Sequence, residues 1–338
     1  MGSKKSLSIV EKEITNYCKN NFTNIFNVKK PSIKLHEPTF DNKEINAAIK
    51  VLLSRNVTMG QKVVSFENSF SKKFSYKKSI SCNSGSSANL LAISTIINLN
   101  FKNRIKPGDE VIVSALSWST TIWPIIQCGL IPVIVDININ TLNIDENLIE
   151  KAISRKTKAI MPVHVYGNPC NMDSIVKIAK KYKLLLIEDC CEAMGAKYNK
   201  KVVGSFGEIG TFSFYFSHHI TTLEGGMCVT NNLDLSERLK ILRAHGWLRD
   251  VEHPEKFDEL SNVDKRFTFV DVGFNMRITE LQGVFGLKQL GKLNGFLKKR
   301  KKTFLKWEEI FSKYNKFFLT QKEQENGESS FFGFAITL

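Results

Sequence analysis

Five short apolar runs recur through the middle of the chain, at residues 79–82, 110–114, 132–136, 159–165 and 184–188. Between them lie segments of about ten to fifteen residues whose apolar positions follow helical spacing. Strands buried on both faces and joined through helices predict a three-layer α/β fold with a mostly parallel central sheet. In such a sheet, ligands bind beyond the carboxyl ends of the strands. The polar and glycine-rich sequence falls at those ends: residues 83–89, 114–121, 164–167, 189–192 and 213–226. These five loops are expected to converge on one edge.

The flanks carry weaker patterns. Residues 1–30 place Ile9, Ile14 and Tyr17 at helical spacing, which predicts an N-terminal helical extension that Pro31 ends. Helices are expected over 42–53 and 63–74, on either side of a tight turn at Thr58-Met59-Gly60. Residues 31–270 read as one large domain, and 271–338 as the start of a smaller C-terminal α+β domain. Further helices are expected over 235–245, 275–290 and 293–314, with a polar stretch over 250–264. Residues 331–338 read as an apolar strand without a partner. An unpaired hydrophobic strand is a poor place to end a domain, so a truncated C-terminus is expected.

Composition narrows the partners. The 48 basic and 33 acidic residues leave a formal charge of +15, compatible with nucleic acid, a membrane surface or acidic small molecules. The lysines are spread along the chain, with only residues 298–302 (KKRKK) forming a run, and no nucleic-acid module accompanies them. No apolar run approaches the ~18 to 20 residues of a membrane span, and no signal-peptide core follows the N-terminus. Nucleic acid and membrane are therefore not expected as partners. Seven cysteines, with Cys190 and Cys191 adjacent, argue against a disulfide framework and for a reducing, cytoplasmic setting. No compact metal-ligand spacing links the six histidines, so no metal is expected.

The candidate chemistry lies in the loops. Residues 83–89 (NSGSSAN) form a strand end, a Gly-Ser-Ser turn and a helix start, which is either an anion site suited to a phosphate or an ordinary helix cap. Asp189 closes an apolar strand, where a carboxylate is costly to bury without a cationic partner such as a protonated pyridine nitrogen. Trp118 could cover the face of a flat ring or simply join the core. Ser213 could offer its hydroxyl to the same anion as Ser86 and Ser87. Residues 211–230 (TFSFYFSHHITTLEGGMCVT) join an aromatic strand, a histidine pair and a Gly-Gly turn, and read as an active-site loop.

In order, GSSAN, GDEV followed by an aromatic residue, VHVYGNP, IEDCCEA, FSFY and EGG resemble the pyridoxal-phosphate sugar aminotransferase family of nucleotide-sugar pathways. That family is built on the fold type I scaffold of aspartate aminotransferase. The resemblance covers about residues 33–338. It implies that Gly85, Ser86, Ser87 and Ser213 hold the cofactor phosphate, that Trp118 stacks on the ring and that Asp189 pairs with the ring nitrogen. Glu192 stands where many members place a glutamine near the ring hydroxyl. The resemblance also implies a homodimer in which Asn275, in GFNMR, reaches the phosphate of the other subunit.

One position departs from the pattern. Aminotransferases place the lysine that links to the cofactor five residues after the FSFY serine and six before the EGG glutamate, where this chain has His218. Imidazole has no primary amine, and no lysine lies between Lys201 and Lys240. Histidine instead does acid–base work, with an ordinary pKa of ~6.5. The exchange resembles the family's 3-dehydratases, which implies that pyridoxamine phosphate, joined to a 4-keto-6-deoxy sugar, lets the C3 hydroxyl leave while His218 moves the proton. A lysine would return that proton to C4 and complete an amination.

Some such dehydratases carry an iron–sulfur cluster on cysteines beyond the helix after EGG. The corresponding stretch here, AHGWLRDVEHPEKF, has none. The resemblance thus implies the type that needs only pyridoxal or pyridoxamine 5'-phosphate, regenerated from L-glutamate, and that acts on a nucleotide-diphosphate sugar in deoxysugar and O-antigen biosynthesis. Two alternatives stand beside it: a sugar 4-aminotransferase adapted to the histidine, and a non-catalytic cofactor-binding protein. His219 either orients His218 or lines the loop. His164 and His245 read as structural or substrate-lining, and Arg277 as a substrate-phosphate contact or a helix cap.

Overall fold

The computed structural model describes residues 2–22, 26–32, 34, 36–97, 105–257 and 264–338. In chain order the strands are β1 (Lys78–Cys82), β2 (Glu110–Ser114), β3 (Ile131–Val135), β4 (Thr157–Met161), β5 (Leu185–Asp189), the short pair β6 (Lys197–Tyr198) and β7 (Lys201–Val202), then β8 (Ile209–Ser213) and β9 (Gly226–Thr230). Seven of them form one sheet in the order β1-β9-β8-β5-β4-β2-β3. All its pairings from β8 to β3 are parallel, and β9 is antiparallel to both β1 and β8. Six strands thus point one way, and β9 alone returns.

The alternation of side chains explains why both sheet faces are covered. Val111, Val113, Ala159, Met161 and Ile187 pack on one side with helix α4 (Gly85–Ile96). Ile112, Ile160 and Leu186 pack on the other with α6 (Glu146–Ala152) and α7 (Met172–Tyr182). A second aromatic core, built on Phe66, Phe70, Phe212 and Phe214, seats α3 (Gln61–Phe74) and α9 (Glu280–Phe311). Helix α5 (Ser119–Gln127) follows β2, and α8 (Leu233–Arg243) follows β9. No described helix is long and apolar enough to cross a membrane.

Several expectations are corrected. The first helix, α1, spans Gly2–Asn21 and stops well short of Pro31. Among its described residues Cys18 is the buried one, while Ile9 and Tyr17 are 56% and 61% exposed, because α1 meets its neighbour α2 (Asn42–Ser54) through Glu11, paired with Lys50, and Thr15, which accepts from Asn42 Nδ2 at 3.2 Å. The two helices expected over 275–314 are one continuous helix, α9. Gly291 interrupts its pattern, but one glycine costs only about 1 kcal/mol, and packing on α2 and α3 outweighs that. The closing stretch is not an unpaired strand. Only Ile336–Thr337 (β12) is extended in a ladder, pairing with β10 (Leu319–Thr320), while β11 (Gly327–Glu328) joins β6. Residues 330–333 run instead across the face of the 166–167 loop. Of the polar stretch 250–264, residues 258–263 lie outside the described residues.

The parallel strands and the reversed β9 meet in a tight contact. A Cβ on Gly226, at the start of β9, would lie 2.1 Å from the Ser84 carbonyl oxygen, and one on Gly85 would lie 2.5 Å from Ser213 Cβ. The GSS and EGG sequences therefore meet backbone to backbone. Gly226→Ala is expected to destabilise the fold by about 1–3 kcal/mol through overpacking, read as a lowered urea midpoint at unchanged slope. An unshifted midpoint would show that the contact is slack.

Candidate active site

Strands β1, β5 and β8 end, and β9 begins, around a cavity of about 440 Å³. Gly85, Ser86, Trp118, Asp189, Glu192, Ser213 and His218 all line it, so seven of the predicted site residues meet there. Four of the five predicted loops contribute. The fifth, 164–167, supports the cavity from behind by donating the Tyr166 N–H to Glu192 Oε2 at 2.7 Å.

Asp189 is the polar anchor, with its side chain buried at the end of β5. Its Oδ2 accepts from Asn89 Nδ2 at 2.9 Å and Thr121 Oγ1 at 2.8 Å, and Oδ1 accepts from the Cys191 N–H at 3.1 Å. Thr211 Oγ1 in turn donates to Asn89 Oδ1 at 2.6 Å, which fixes the amide's orientation. Every donor is neutral, and among the described residues no basic side chain pairs with the carboxylate. Asn89 and Thr121 lie within the 83–89 and 114–121 loops but are not among the residues that the motifs single out. The signal was a helix whose first turns carry polar residues facing a strand end.

Trp118 occupies the N-cap position of α5 without a side-chain capping bond and is 73% exposed, so it is no core residue. Ser86 lies open at the start of α4, whereas Ser87 does not line the cavity. Ser84 Oγ caps the helix by accepting from the Ser87 N–H and donates to Ser87 Oγ, both at 3.0 Å. Asn275 is exposed outside the cavity, bridged by its backbone to Ala244. Arg277 donates to Asn275 Oδ1 at 3.2 Å and approaches His245 Nε2 at 3.2 Å.

The histidine pair divides. His218 is half-buried against the cavity, and its Nδ1 is buried without a partner. Burial lowers its pKa to about 4, assisted by the charges of Arg300 and His36, against the opposing pull of the Cys191 backbone and Asp189. Its ring lies 5.1 Å from Phe332 and 6.3 Å from Tyr215. His219 turns away and is fully buried, with Nε2 at 3.0 Å from the Ser330 carbonyl oxygen. That acceptor requires the proton on Nε2, and burial, with Arg300 nearby, lowers the His219 pKa to about 3. Glu192 moves the opposite way, to about 7, chiefly through burial, with Asp189 adding to it and the Tyr166 N–H resisting.

His164 is structural. Its Nδ1 accepts from the Cys170 N–H at 3.0 Å, leaving Nε2 to donate to Glu188 at 3.3 Å. Glu188, beside His164 and Cys190, also accepts from the Gly204, Phe206 and Gly207 N–H groups, so its oxygens hold a backbone turn rather than an ion.

The described geometry has known counterparts. The model of the DegT/DnrJ/EryC1/StrS aminotransferase family matches residues 38–338. A GDP-4-keto-6-deoxy-D-mannose 3-dehydratase of Yersinia pseudotuberculosis is 42% identical over 307 residues, 90% of this chain and 77% of that protein. A solved structure of the Escherichia coli enzyme of that name, with bound hydrated PLP, superposes with a TM-score of 0.85 at 41% identity, covering 90% of this chain and 78% of the other. Another structure of such a dehydratase, with a trapped PLP-glutamate geminal diamine, matches with the same score, identity and a coverage of 90% and 79%.

The buried histidines make stability depend on pH. Both pKa values fall below the ordinary ~6.5, so between about 3 and 6.5 the unfolded chain takes up protons that the fold refuses. Their neutral forms support the fold fully above that window, and the support is lost as pH falls through it. The melting temperature is expected to drop between pH 6.5 and 4, and His219→Gln, which keeps a donor for Ser330 but cannot titrate, to flatten the drop. Parallel profiles for the two proteins would refute the buried neutral imidazole.

Proposed function

This chain belongs to the DegT/DnrJ/EryC1/StrS aminotransferase family, and from that premise and the geometry of the cavity we propose that it removes the C3 hydroxyl of a nucleotide-linked 4-keto-6-deoxy sugar, using pyridoxal 5'-phosphate in its pyridoxamine form. The observation that carries the reading is a neutral imidazole, His218, facing the same cavity as a buried carboxylate without a cationic partner. The first sets the chemistry and the second the cofactor.

The residues present fit that cofactor. Asp189, buried with neutral donors only, lacks the positive charge that a protonated ring nitrogen would supply. Gly85 leaves no room for a side chain against Ser213, and with Ser86 and the Ser213 hydroxyl it forms a cradle for a phosphate at the start of α4. Trp118 offers an open aromatic face. Bound there, the cofactor supplies an electron-accepting conjugated ring. Glu192, with a pKa of about 7, can hold or release a proton beside the ring.

His218 is neutral at physiological pH because its pKa is about 4. It could therefore accept, at an imidazole nitrogen, the proton given up by the methylene carbon of the bound cofactor, and the imidazolium could pass that proton to the hydroxyl leaving sugar C3, which departs as water. Lysine would serve as a covalent anchor at this point, and imidazole cannot. Phe332 and Tyr215 flank the ring.

The dehydratase named for GDP-4-keto-6-deoxy-D-mannose makes a GDP-linked sugar the first substrate to offer, and the glutamate adduct of a relative makes L-glutamate the amino donor. The functional unit is a homodimer. Asn275 is exposed and outside its own cavity, which supports a role for it at the partner's cofactor phosphate. All seven cysteines are free, which suits the reducing cytoplasm.

The test combines spectroscopy and product analysis. With pyridoxal phosphate, the parent is expected to show no lysine adduct that borohydride can trap, and to convert aldehyde to amine with L-glutamate, while His218→Lys acquires such an adduct. His218→Asn should lower turnover of the GDP-sugar by about 10²–10⁴-fold. Asp189→Asn should weaken cofactor binding at least tenfold. A product that retains its C3 hydroxyl and gains a 4-amino group would replace the dehydratase reading with an aminotransferase.

A further inference from the structure

Behind His218 lies a feature that the reaction itself does not require. Residues 330–333 cross the back of the cavity as a strap, pinned at both edges. The Ser330 and Phe332 N–H groups donate to Gly167 and Tyr166 carbonyls, each at 2.9 Å. A Cβ on Gly167 would meet Ser330 Oγ at 2.6 Å and Phe331 N at 2.9 Å, so the strap seats on bare backbone. From the other side, His219 Nε2 donates to the Ser330 carbonyl at 3.0 Å, and Arg300, on α9, donates to the carbonyls of Phe331 at 3.3 Å and Phe332 at 2.7 Å. Phe331 is held in the left-handed region, with φ of 51°. A β-free residue would suit that conformation better, and the clamps compensate for the strain.

The ring that the strap presents is Phe332. It stands 5.1 Å from the His218 ring and 5.5 Å from the His219 ring, and it lines both the active-site cavity and a larger hollow of about 1190 Å³ on its other side. Phe332 is thus a partition between the reacting histidine and an outer space bordered by Lys34, Lys299 and Arg300.

We propose that Arg300 and His219 are positioning residues that act on His218 through Phe332, clamping the strap so that the aromatic ring shuts the back of the cavity against water. The inference concerns how His218 is tuned and gains its catalytic meaning from the function proposed above, but its geometry stands without that function. Burial is the main cause of the low His218 pKa, and the Phe332 ring supplies one wall of that burial. The groups facing His218 are Asp189, Cys191 and Glu192 from the end of β5, Tyr215 and His219 from its own loop, Arg300 from α9 and His36 from the N-terminal segment. Only Arg300 and His219 also hold the strap.

The measurement is the titration of the His218 ring by NMR with labelled histidine, assigned with His218→Asn, on the parent, Phe332→Ala, Arg300→Met and the double variant. Opening the partition is expected to raise the His218 pKa by about one unit or more in Phe332→Ala. Arg300→Met should do the same, and the double variant should add little beyond Phe332→Ala, since both singles break one device. His219→Leu should shift the titration in the same sense, and His219→Gln, which retains the donor, should restore the parent value. If Arg300→Met gives no folded protein, the cycle of His219→Leu with Phe332→Ala carries the same test. A full additive Arg300 shift in the Phe332→Ala background would mean that its charge acts directly, and an unmoved titration in Phe332→Ala would mean that the ring does not wall off His218. Either result overturns the proposal. Because the readout is a titration of the protein itself, it stands apart from turnover, so loss of the dehydratase reading and loss of the clamp are told apart.

Discussion

The structure turns on one buried carboxylate. Asp189 ends the central strand β5 inside the fold, where an unpaired charge is costly. Its oxygens are met by an amide from α4, a hydroxyl from α5 and a backbone N–H from the turn that follows β5. Those donors lower the cost of burial without cancelling the charge. The surplus is directed into the cavity that Asp189 lines. The first turns of α4 and the start of α5 are tied to one atom, Asp189 Oδ2, and strand β8 joins them through Thr211, which locks the Asn89 amide.

Around that anchor the backbone closes in by omission of side chains. Gly85 lies against Ser213, and Gly226 against the Ser84 carbonyl, which brings three strand ends close enough for one small ligand to touch them all. The reversed strand β9 makes this possible, because its first residue rather than its last lies at the ligand-binding edge. The imidazole of His218 enters the same space from the turn between β8 and β9. In water it would be half-protonated near pH 6.5; here burial lowers its pKa to about 4 and keeps it neutral.

The two adjacent histidines show how the same residue type is sorted by its surroundings. His218 faces the cavity with an unpartnered nitrogen, and His219 is spent on a backbone carbonyl more than a hundred residues away in sequence. That bond links the loop to the strap at 330–333, which in turn faces His218. The adjacent pair thus serves one ring in two ways, as the ring itself and as part of what encloses it.

Local sequence determined the repeating strand–helix units and the edge at which their loops gather, because these follow from periodicity over short spans. Residue chemistry alone drew notice to Asp189, Trp118 and the Gly-Ser-Ser turn while leaving their work open, and His218 stood out only against the motifs of the family that the chain resembles. What only the tertiary structure decided depends on contacts between distant segments. Asn89 and Thr121 are ordinary polar residues until β5 is laid beside them. Arg300 reads as one charge in a basic helix until it meets the carbonyls of Phe331 and Phe332. Residues 331–334 have the composition of a strand, but the Phe332 N–H donates to the Tyr166 carbonyl and the Phe331 and Phe332 carbonyls accept from the Arg300 side chain on α9, so the segment became a strap. Hydrophobic pattern assigns a residue to an inside or an outside. Which inside it joins is fixed by the partners that its polar backbone finds, and no local pattern encodes those.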